Sequence, residues 1–262
     1  MRNVFLLLFS VLLSISAFGQ FNVKDINESL AKINDTLYAS KYEVSNKLYM
    51  SFLNSLRLER KLNLVSMAQI DSLKWIDKLS YNPPYVVYYH THPGYYNFPV
   101  VNISYEGAKL FCEWLTEQYN SSQNRKKFKQ VLFRLPTEKE WISAAQAGDS
   151  SAIYPWKGNA LRNKKGQVLY NFKRQLKDTL WINGKFVENM DVTAPVKSYW
   201  ENEFGLYNMS GNVAEMINEK GIVKGGSWID DSEFLKIMNK YSYDGKPKPF
   251  VGFRYFVEVI EN

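Results

Sequence analysis

The sequence has one cysteine and two histidines in 262 residues. A single cysteine cannot form a disulfide within the chain, so packing or bound ions must stabilise the fold. It also excludes chemistry that needs two thiols of the same chain. Cys112 lies among apolar residues that recur at helical spacing over residues 105–119. This pattern predicts a buried, structural thiol.

Long apolar runs are absent after the first residues. Residues 4–13 are almost wholly apolar, follow Arg2, and precede small residues at positions 17 and 19. This pattern is typical of a secretory signal that is cleaved before Gln20, and an uncleaved anchor is the alternative. The run is shorter than the roughly 20 residues of a spanning helix. We therefore expect a signal peptide at residues 1–19, no membrane span, and export to the periplasm, the periplasmic face of the outer membrane or the medium.

The remaining chain contains no linker, internal repeat or low-complexity tract. We expect a lead-in at residues 20–36 and one domain at residues 37–262. Helical spacing and capping residues predict helices at 46–56, 105–119 and 138–147, the last opened by a capping box. Residues 58–79 are interpreted as mixed and largely helical, and residues 81–98 as a loop rich in Tyr, Pro and His. Turns and short strands follow the helix at 138–147. The fold class is therefore α+β with few helices, short strands and much irregular chain.

The chain is basic, with a formal net charge of +7. Most of its basic residues are scattered, and short runs of like charge are usually solvated. Together with the signal peptide, this distribution argues against a nucleic-acid partner. A weak attraction to acidic protein, glycan or lipid surfaces remains compatible with it.

Eight motifs follow one another between about residues 37 and 259. They are YEVSNKLYMSF at 42–52, FPVVNISYEGA at 98–108 with FCEWL at 111–115, FRLPTEKEW at 133–141, YPWKG at 154–158, TAPV at 193–196, FGLYNMSGNVAE at 204–215, KGGSW at 224–228 and GFR at 252–254. Together they resemble the formylglycine-generating enzyme (sulfatase-modifying factor) family. The resemblance implies that family's fold, which is distantly like that of C-type lectins.

Two stretches are similar to a narrower group within that family. Residues 188–205 and the His- and Tyr-rich residues 90–100 resemble the gliding-motility and type IX secretion lipoproteins. Those relatives are envelope proteins without known oxidase activity. The lipid-carrying cysteine of that group is missing here.

The active enzymes carry two copper-binding cysteines after the GGS turn, and the resemblance places them at Asp230 and Leu235. Neither residue supplies the thiolate that copper(I) prefers. We therefore expect neither copper nor formylglycine-generating oxidase activity, and no catalytic residue is assigned.

Another branch of the family binds iron through a His-x3-His-x-Glu cluster. The histidines here are His90 and His92, which share one face of an extended chain but lack an evident third ligand. Two interpretations stay open, hydrogen-bonded histidines in an aromatic loop and a metal site. Asp230 and Asp231 are expected to be turn or surface carboxylates.

The resemblance also implies one or two structural calcium ions. Calcium binds six to eight oxygen ligands, including backbone carbonyls. The positions of the first site are Asn208, Gly211, Val213 and Glu215. Those of the second site are Asn171, Phe172, Glu188 and Met190.

Three functions fit these patterns. The first is a non-catalytic interaction module that binds envelope proteins of a secretion or motility machine, or peptidoglycan. The second is an enzyme of unrecognised metal chemistry in the family's cleft. The third is a protein that binds glycans or peptides in the same groove. Fold alone does not choose among them.

Overall fold

Short helices and small sheets alternate along the chain. The computed structural model describes residues 22–76, 83–125, 127–173, 180–182, 185–187 and 192–261. The predicted signal peptide, together with Glu188 and Met190, lies outside these residues. The helices are α1 Val23–Glu28, α2 Asn46–Leu58, α3 Leu62–Ala68, α4 Pro83–Tyr88, α5 Tyr105–Ser121 and α6 Glu138–Gln146. The strands are β1 Leu30–Lys32, β2 Leu37–Ser40, β3 Gln130–Arg134, β4 Leu180–Ile182, β5 Lys185–Val187, β6 Ala214–Met216, β7 Ile222–Lys224, β8 Lys240–Ser242, β9 Val251–Gly252 and β10 Phe256–Glu261.

The first sheet joins distant parts of the chain. Its strand order is β1-β2-β10-β3, and every neighbouring pair is antiparallel. A second sheet has the order β8-β7-β6-β9, with β6 and β9 parallel, and β4 pairs with β5. The strands are three to six residues long apart from the two-residue β9. This agrees with the predicted α+β class.

The three predicted helices are confirmed, and hydrogen-bonding side chains cap their first turns. The side chains of Ser45 and Ser104 accept from the backbone amides of Leu48 and Gly107. In α6, Thr137 accepts from the Glu140 amide while the Glu140 carboxylate accepts from the Thr137 amide. These caps satisfy amides that would otherwise lack partners, which explains why the helices begin where the sequence predicts.

The Tyr- and Pro-rich residues 81–98 were expected to be a loop, but they contain α4 and a 3-10 turn at Pro93–Tyr95. Tyr and Val are weak helix formers, so intrinsic propensity did not predict α4. Packing decides the conformation, because Tyr85 and Tyr89 contact the buried Trp75 at ring-centroid distances of 5.2 and 4.7 Å.

An aromatic core packs α2 and α5 against the sheets. Tyr49, Phe52 and Phe111 form edge and stacked contacts, and Phe253 joins them from the C-terminal region. Cys112 is buried in this cluster, and burial raises the pKa of its thiol. The prediction of a structural cysteine is confirmed. Among the described residues, no helix has the length and apolar character that crossing a membrane requires.

Candidate functional site

Asp230 stands where the resemblance expects the first copper-binding cysteine, and its carboxylate accepts hydrogen bonds from two side chains. Ser227 Oγ donates to Asp230 Oδ2 at 2.6 Å, and the Tyr241 hydroxyl donates to the same oxygen at 3.1 Å. The Lys173 amide donates to the Asp230 carbonyl. Asp230 therefore stabilises the turn after β7, in agreement with the turn role expected of it.

Leu235, which stands at the position expected for the second cysteine, lies inside an aromatic cluster. Leu235 is fully buried and packs with Tyr154, Tyr170 and Phe172. The Ser210 hydroxyl donates to the Leu235 carbonyl at 2.6 Å. A side chain at this position is shielded from solvent, so the site has become part of the core.

The same loop presents apolar side chains to solvent, which we call the Phe234 face. It consists of Phe234 and Met238, which are 42% and 63% exposed, and of Ile153, which is 42% exposed. The Ile237 amide donates to the Ile153 carbonyl at 2.9 Å, which holds the two segments together. Apolar surface of this kind is available to a partner.

The two histidines occupy different environments. His90 is buried, and its Nδ1 lies 2.9 Å from Asn46 Oδ1. Since the Asn46 amide nitrogen donates to the carbonyls of Tyr89 and Tyr95, its oxygen must accept, and His90 carries its proton on Nδ1. His92 is exposed, and its Nδ1 accepts from the Gly94 amide.

The structure does not assemble a metal cluster from these groups. Asp231 begins the 3-10 turn at Ser232–Leu235, and Asp230 contacts Ser227 and Tyr241. Over the described ranges, no three His, Cys, Asp or Glu side chains converge in a way that could hold an ion. Of the two interpretations left open for the histidines, the structure favours hydrogen-bonded residues.

A buried polar network connects the EVSN, GNVAE and GFR motifs. Glu215 accepts from Arg254 Nη2 at 2.6 Å, from Arg254 Nε at 2.9 Å and from Trp141 Nε1 at 2.7 Å. Arg254 also donates to the carbonyls of Ser40, Lys41 and Tyr207. Glu215 and Arg254 are at most 1% exposed in their side chains. No local sequence pattern identifies this pair, although a buried arginine in GFR requires an acidic partner.

A second carboxylate, Glu43, belongs to the same network. It accepts from the side-chain amides of Asn208 and Asn212 at 2.9 to 3.1 Å. Burial raises the pKa of Glu43 to about 8, and the nearby Glu215 carboxylate acts in the same direction. Of the two buried carboxyl groups, Glu215 pairs directly with Arg254, whereas the guanidinium acts on Glu43 only through its charge.

This geometry bears on the calcium positions. Asn208, Gly211, Val213 and Glu215 lie in one loop and strand, but Arg254 and Trp141 already occupy both Glu215 oxygens. An ion at these four positions would therefore have to displace at least one of those donors from Glu215. Calcium at the first site stays a prediction.

For the second site, the structure describes Asn171 and Phe172 but not the two other positions. Both Asn171 and Phe172 are buried. Calcium stays a prediction here, which a comparison of melting temperatures in calcium and in EDTA tests. An ion that binds only the folded state raises the melting temperature in calcium, and equal values would contradict it.

The buried titratable groups predict an unusual pH dependence of stability. Burial lowers the pKa of His90 to about 3, from 6.5, so the unfolded chain binds an extra proton between these values and stability rises with pH. For Glu43 the folded chain holds the extra proton between pH 4.5 and about 8, so stability falls as pH rises. The two slopes cancel between pH 4.5 and 6.5. We expect a loss of about 2 kcal/mol from pH 6.5 to 8.

Urea denaturation at intervals of about half a pH unit measures this loss. Glu43→Gln should abolish it, whereas Glu233→Gln, which changes an exposed carboxylate, should keep it. An equal decline in Glu43→Gln would show that another group is responsible.

Comparison with known proteins places the fold in a family. A family model described as "Sulfatase-modifying factor enzyme 1-like domain" matches residues 18–259. The solved structure of CarF has a TM-score of 0.54 and 21% identity, with 86% of this chain and 87% of that chain covered. The Treponema denticola variable protein 1 has a TM-score of 0.53 and 16% identity, with 88% and 91% covered. At these identities the structures show likeness of fold alone.

Curated relatives include both active and inactive proteins. The inactive C-alpha-formylglycine-generating enzyme 2 of Bos taurus is 30% identical over 151 residues, which are 52% of this chain and 40% of that protein. The formylglycine-generating enzyme of Thermomonospora curvata is 34% identical over 119 residues, which are 45% of this chain and 32% of that protein. The chain thus spans less than half the length of these relatives. By the match over residues 18–259, it belongs to the sulfatase-modifying factor enzyme 1-like family, which also includes non-catalytic forms.

Proposed function

We propose that this protein is an exported, non-catalytic member of its family that binds other proteins of a bacterial envelope. The observation that carries the proposal is the chemistry at the two expected thiol positions. Asp230 is held by Ser227 and Tyr241, and Leu235 is buried among aromatic rings. The lone thiol of Cys112 is buried in a different cluster. None of these groups offers copper a pair of thiolates.

The oxidase assay tests the absence of catalysis directly. The purified protein, with copper and a cysteine-containing sulfatase-type peptide, is expected to yield no aldehyde by mass spectrometry. The formylglycine-generating enzyme of Thermomonospora curvata serves as the positive control. Formation of the aldehyde by this chain would overturn the proposal.

The Phe234 face is the proposed docking surface. Its occupant would be an envelope protein that presents a matching apolar surface, because the exposed side chains of this face are apolar. The resemblance of residues 188–205 to gliding-motility and type IX secretion lipoproteins supports a partner from such a machine. Here the loop that carries thiols in active relatives would serve binding instead of oxidation.

Crosslinking from envelope extracts tests the docking surface. Wild-type protein should recover a defined envelope protein, and the double variant Phe234→Asp/Met238→Asp should reduce its recovery at least about tenfold, since hot-spot contacts are worth 2 kcal/mol or more. Ile260→Asp changes a residue that is 54% exposed on β10 and is the matched control. Equal recovery with the double variant, or no envelope partner, would contradict the proposal.

The other hypotheses have unequal support. An enzyme that uses His90, His92, Asp230 or Asp231 with a metal lacks a convergent cluster in the part of the chain that the structure describes. Glycan binding has a specific structural observation in its favour, which is a cavity whose lining residues differ from those of the Phe234 face.

A further inference from the structure

A cavity of about 380 Å³ opens between the segment after α4 and the residues before the FGLYN motif. This volume falls within the range of small-molecule sites. Its lining comes from three parts of the chain and consists of Tyr85, Tyr95, Phe98, Asn171, Val192, Thr193, Ala194, Pro195 and Tyr199. None of these side chains is charged. From this combination we propose that the cavity binds an uncharged saccharide.

Aromatic rings form one side of the cavity. Tyr95 meets Tyr85 edge to face, with centroids 5.9 Å apart at 81°, and meets Phe98 at 5.1 Å and 65°. All three rings are half-buried, so part of each remains accessible. Rings at steep mutual angles present flat apolar surfaces in different directions. Such surfaces suit the apolar C–H faces of a sugar ring.

The donor groups of the two buried polar side chains in the lining, Thr193 and Asn171, already form hydrogen bonds within the protein. The Tyr89 hydroxyl donates to the Pro99 carbonyl at 2.8 Å, so the Thr193 hydroxyl must donate to the Tyr89 oxygen, also at 2.8 Å. The Asn171 amide nitrogen donates to the Val192 carbonyl and to Asn212 Oδ1. Thr193 and Asn171 can therefore only accept further hydrogen bonds.

The described lining residues carry no charge, and Tyr85, Tyr95 and Tyr199 add hydroxyl groups to the acceptors of Thr193 and Asn171. Among these residues an ion of either sign would lose its hydration without gaining a counter-charge, which is costly. Hydroxyl groups supply donors without charge, and only a sugar combines many of them with an apolar ring face. The ligand class that fits both walls is a neutral sugar.

One residue that lines the same cavity has a strained backbone conformation. Tyr199 has a φ of 62°, in the left-handed region that non-glycine residues rarely adopt. Three residues earlier, the Val196 amide donates to the Asn97 carbonyl at 2.8 Å, which ties this segment to the one that carries Tyr95 and Phe98. A strained residue held in place at a cavity is typical of binding sites.

Calorimetric titration with chitobiose, cellobiose and maltose tests the proposal, with a digalacturonate as the charged comparator. At least one neutral disaccharide should bind with a Kd below about 1 mM. Tyr95→Ala should raise that Kd at least about tenfold, whereas Tyr95→Phe, which keeps the ring, should change it less than about threefold. Tyr88→Ala removes an exposed ring of α4 outside the cavity and should have no effect.

Thr193→Val provides a second test, since it keeps the shape of the side chain and removes the acceptor. It should weaken binding about tenfold. Melting curves of every variant confirm that it is folded. The proposal is overturned if folded wild-type protein binds no neutral disaccharide at about 10 mM, if Tyr95→Ala binds as well as wild type, or if the acidic sugar binds more tightly.

The cavity and the Phe234 face can be tested separately. Phe234→Asp/Met238→Asp should retain saccharide binding, and Tyr95→Ala should retain the envelope partner. The inference therefore does not rest on the proposed docking function. Failure of one leaves the other standing.

Discussion

Replacing Arg254 with methionine is expected to lower the free energy of unfolding by about 3 to 5 kcal/mol. The change removes three hydrogen bonds from Glu215 and three from backbone carbonyls. It leaves the Glu215 carboxylate buried with only Trp141 as a donor. An uncompensated buried charge is far more costly than a missing surface pair. Urea denaturation followed by circular dichroism measures the loss.

Lys32→Met is the matched control for Arg254→Met. Lys32 pairs with Asp35 at 2.8 Å, but both side chains are more than half exposed. Such pairs contribute about 1 kcal/mol or less. Glu215→Gln, which removes the charge but keeps the shape, provides a second measurement if Arg254→Met does not fold. The interpretation is wrong if Arg254→Met and Lys32→Met have equal effects.

Replacing Gly211 with alanine is expected to cost about 3 kcal/mol of unfolding free energy. Gly211 has a φ of +76°, and an added Cβ would lie 2.3 Å from the Asn171 carbonyl oxygen. That oxygen cannot move freely, because it accepts from the Asn212 amide at 2.7 Å. Both the backbone conformation and the close approach therefore require glycine here.

Gly205→Ala separates these two causes. Gly205 has a φ of +78°, nearly the same as Gly211, but an added Cβ there would meet no atom within 4 Å. It should cost only about 1 kcal/mol, which is the conformational part. The difference between the two variants then measures the steric part. Equal losses in thermal or urea denaturation would show that the approach to Asn171 is relieved by movement.

Local signals predicted the parts of the fold that local chemistry determines. The caps at Ser45, Ser104 and Thr137 and the helical spacing around Cys112 gave helices that the structure confirms. Helix α4 was not predicted, because its conformation depends on contacts with Trp75 and not on propensity. The pairing of β10 with β2 and β3 joins residues far apart in sequence, which no local pattern specifies.

The candidate site divides in the same way. The family resemblance was sufficient to locate Asp230 and Leu235 as the positions where active enzymes carry cysteines. The inward packing of Leu235 and the outward position of Phe234 required the structure. The sequence does not predict the network around Glu43, for a different reason. Its partners Asn208 and Asn212 lie 165 and 169 positions away.

The central place of β10 has a consequence for the order of events when the chain folds. Its Glu258 pairs with Leu37 on one side and Leu132 on the other. Until the last strand is synthesised, β2 and β3 both have an open edge that can pair with other molecules. Folding is slow when strands pair that lie as far apart in the chain as β2 and β10 or β3 and β10. A newly made chain would therefore benefit from a holding chaperone, and removing β10 should yield insoluble protein rather than a smaller folded one.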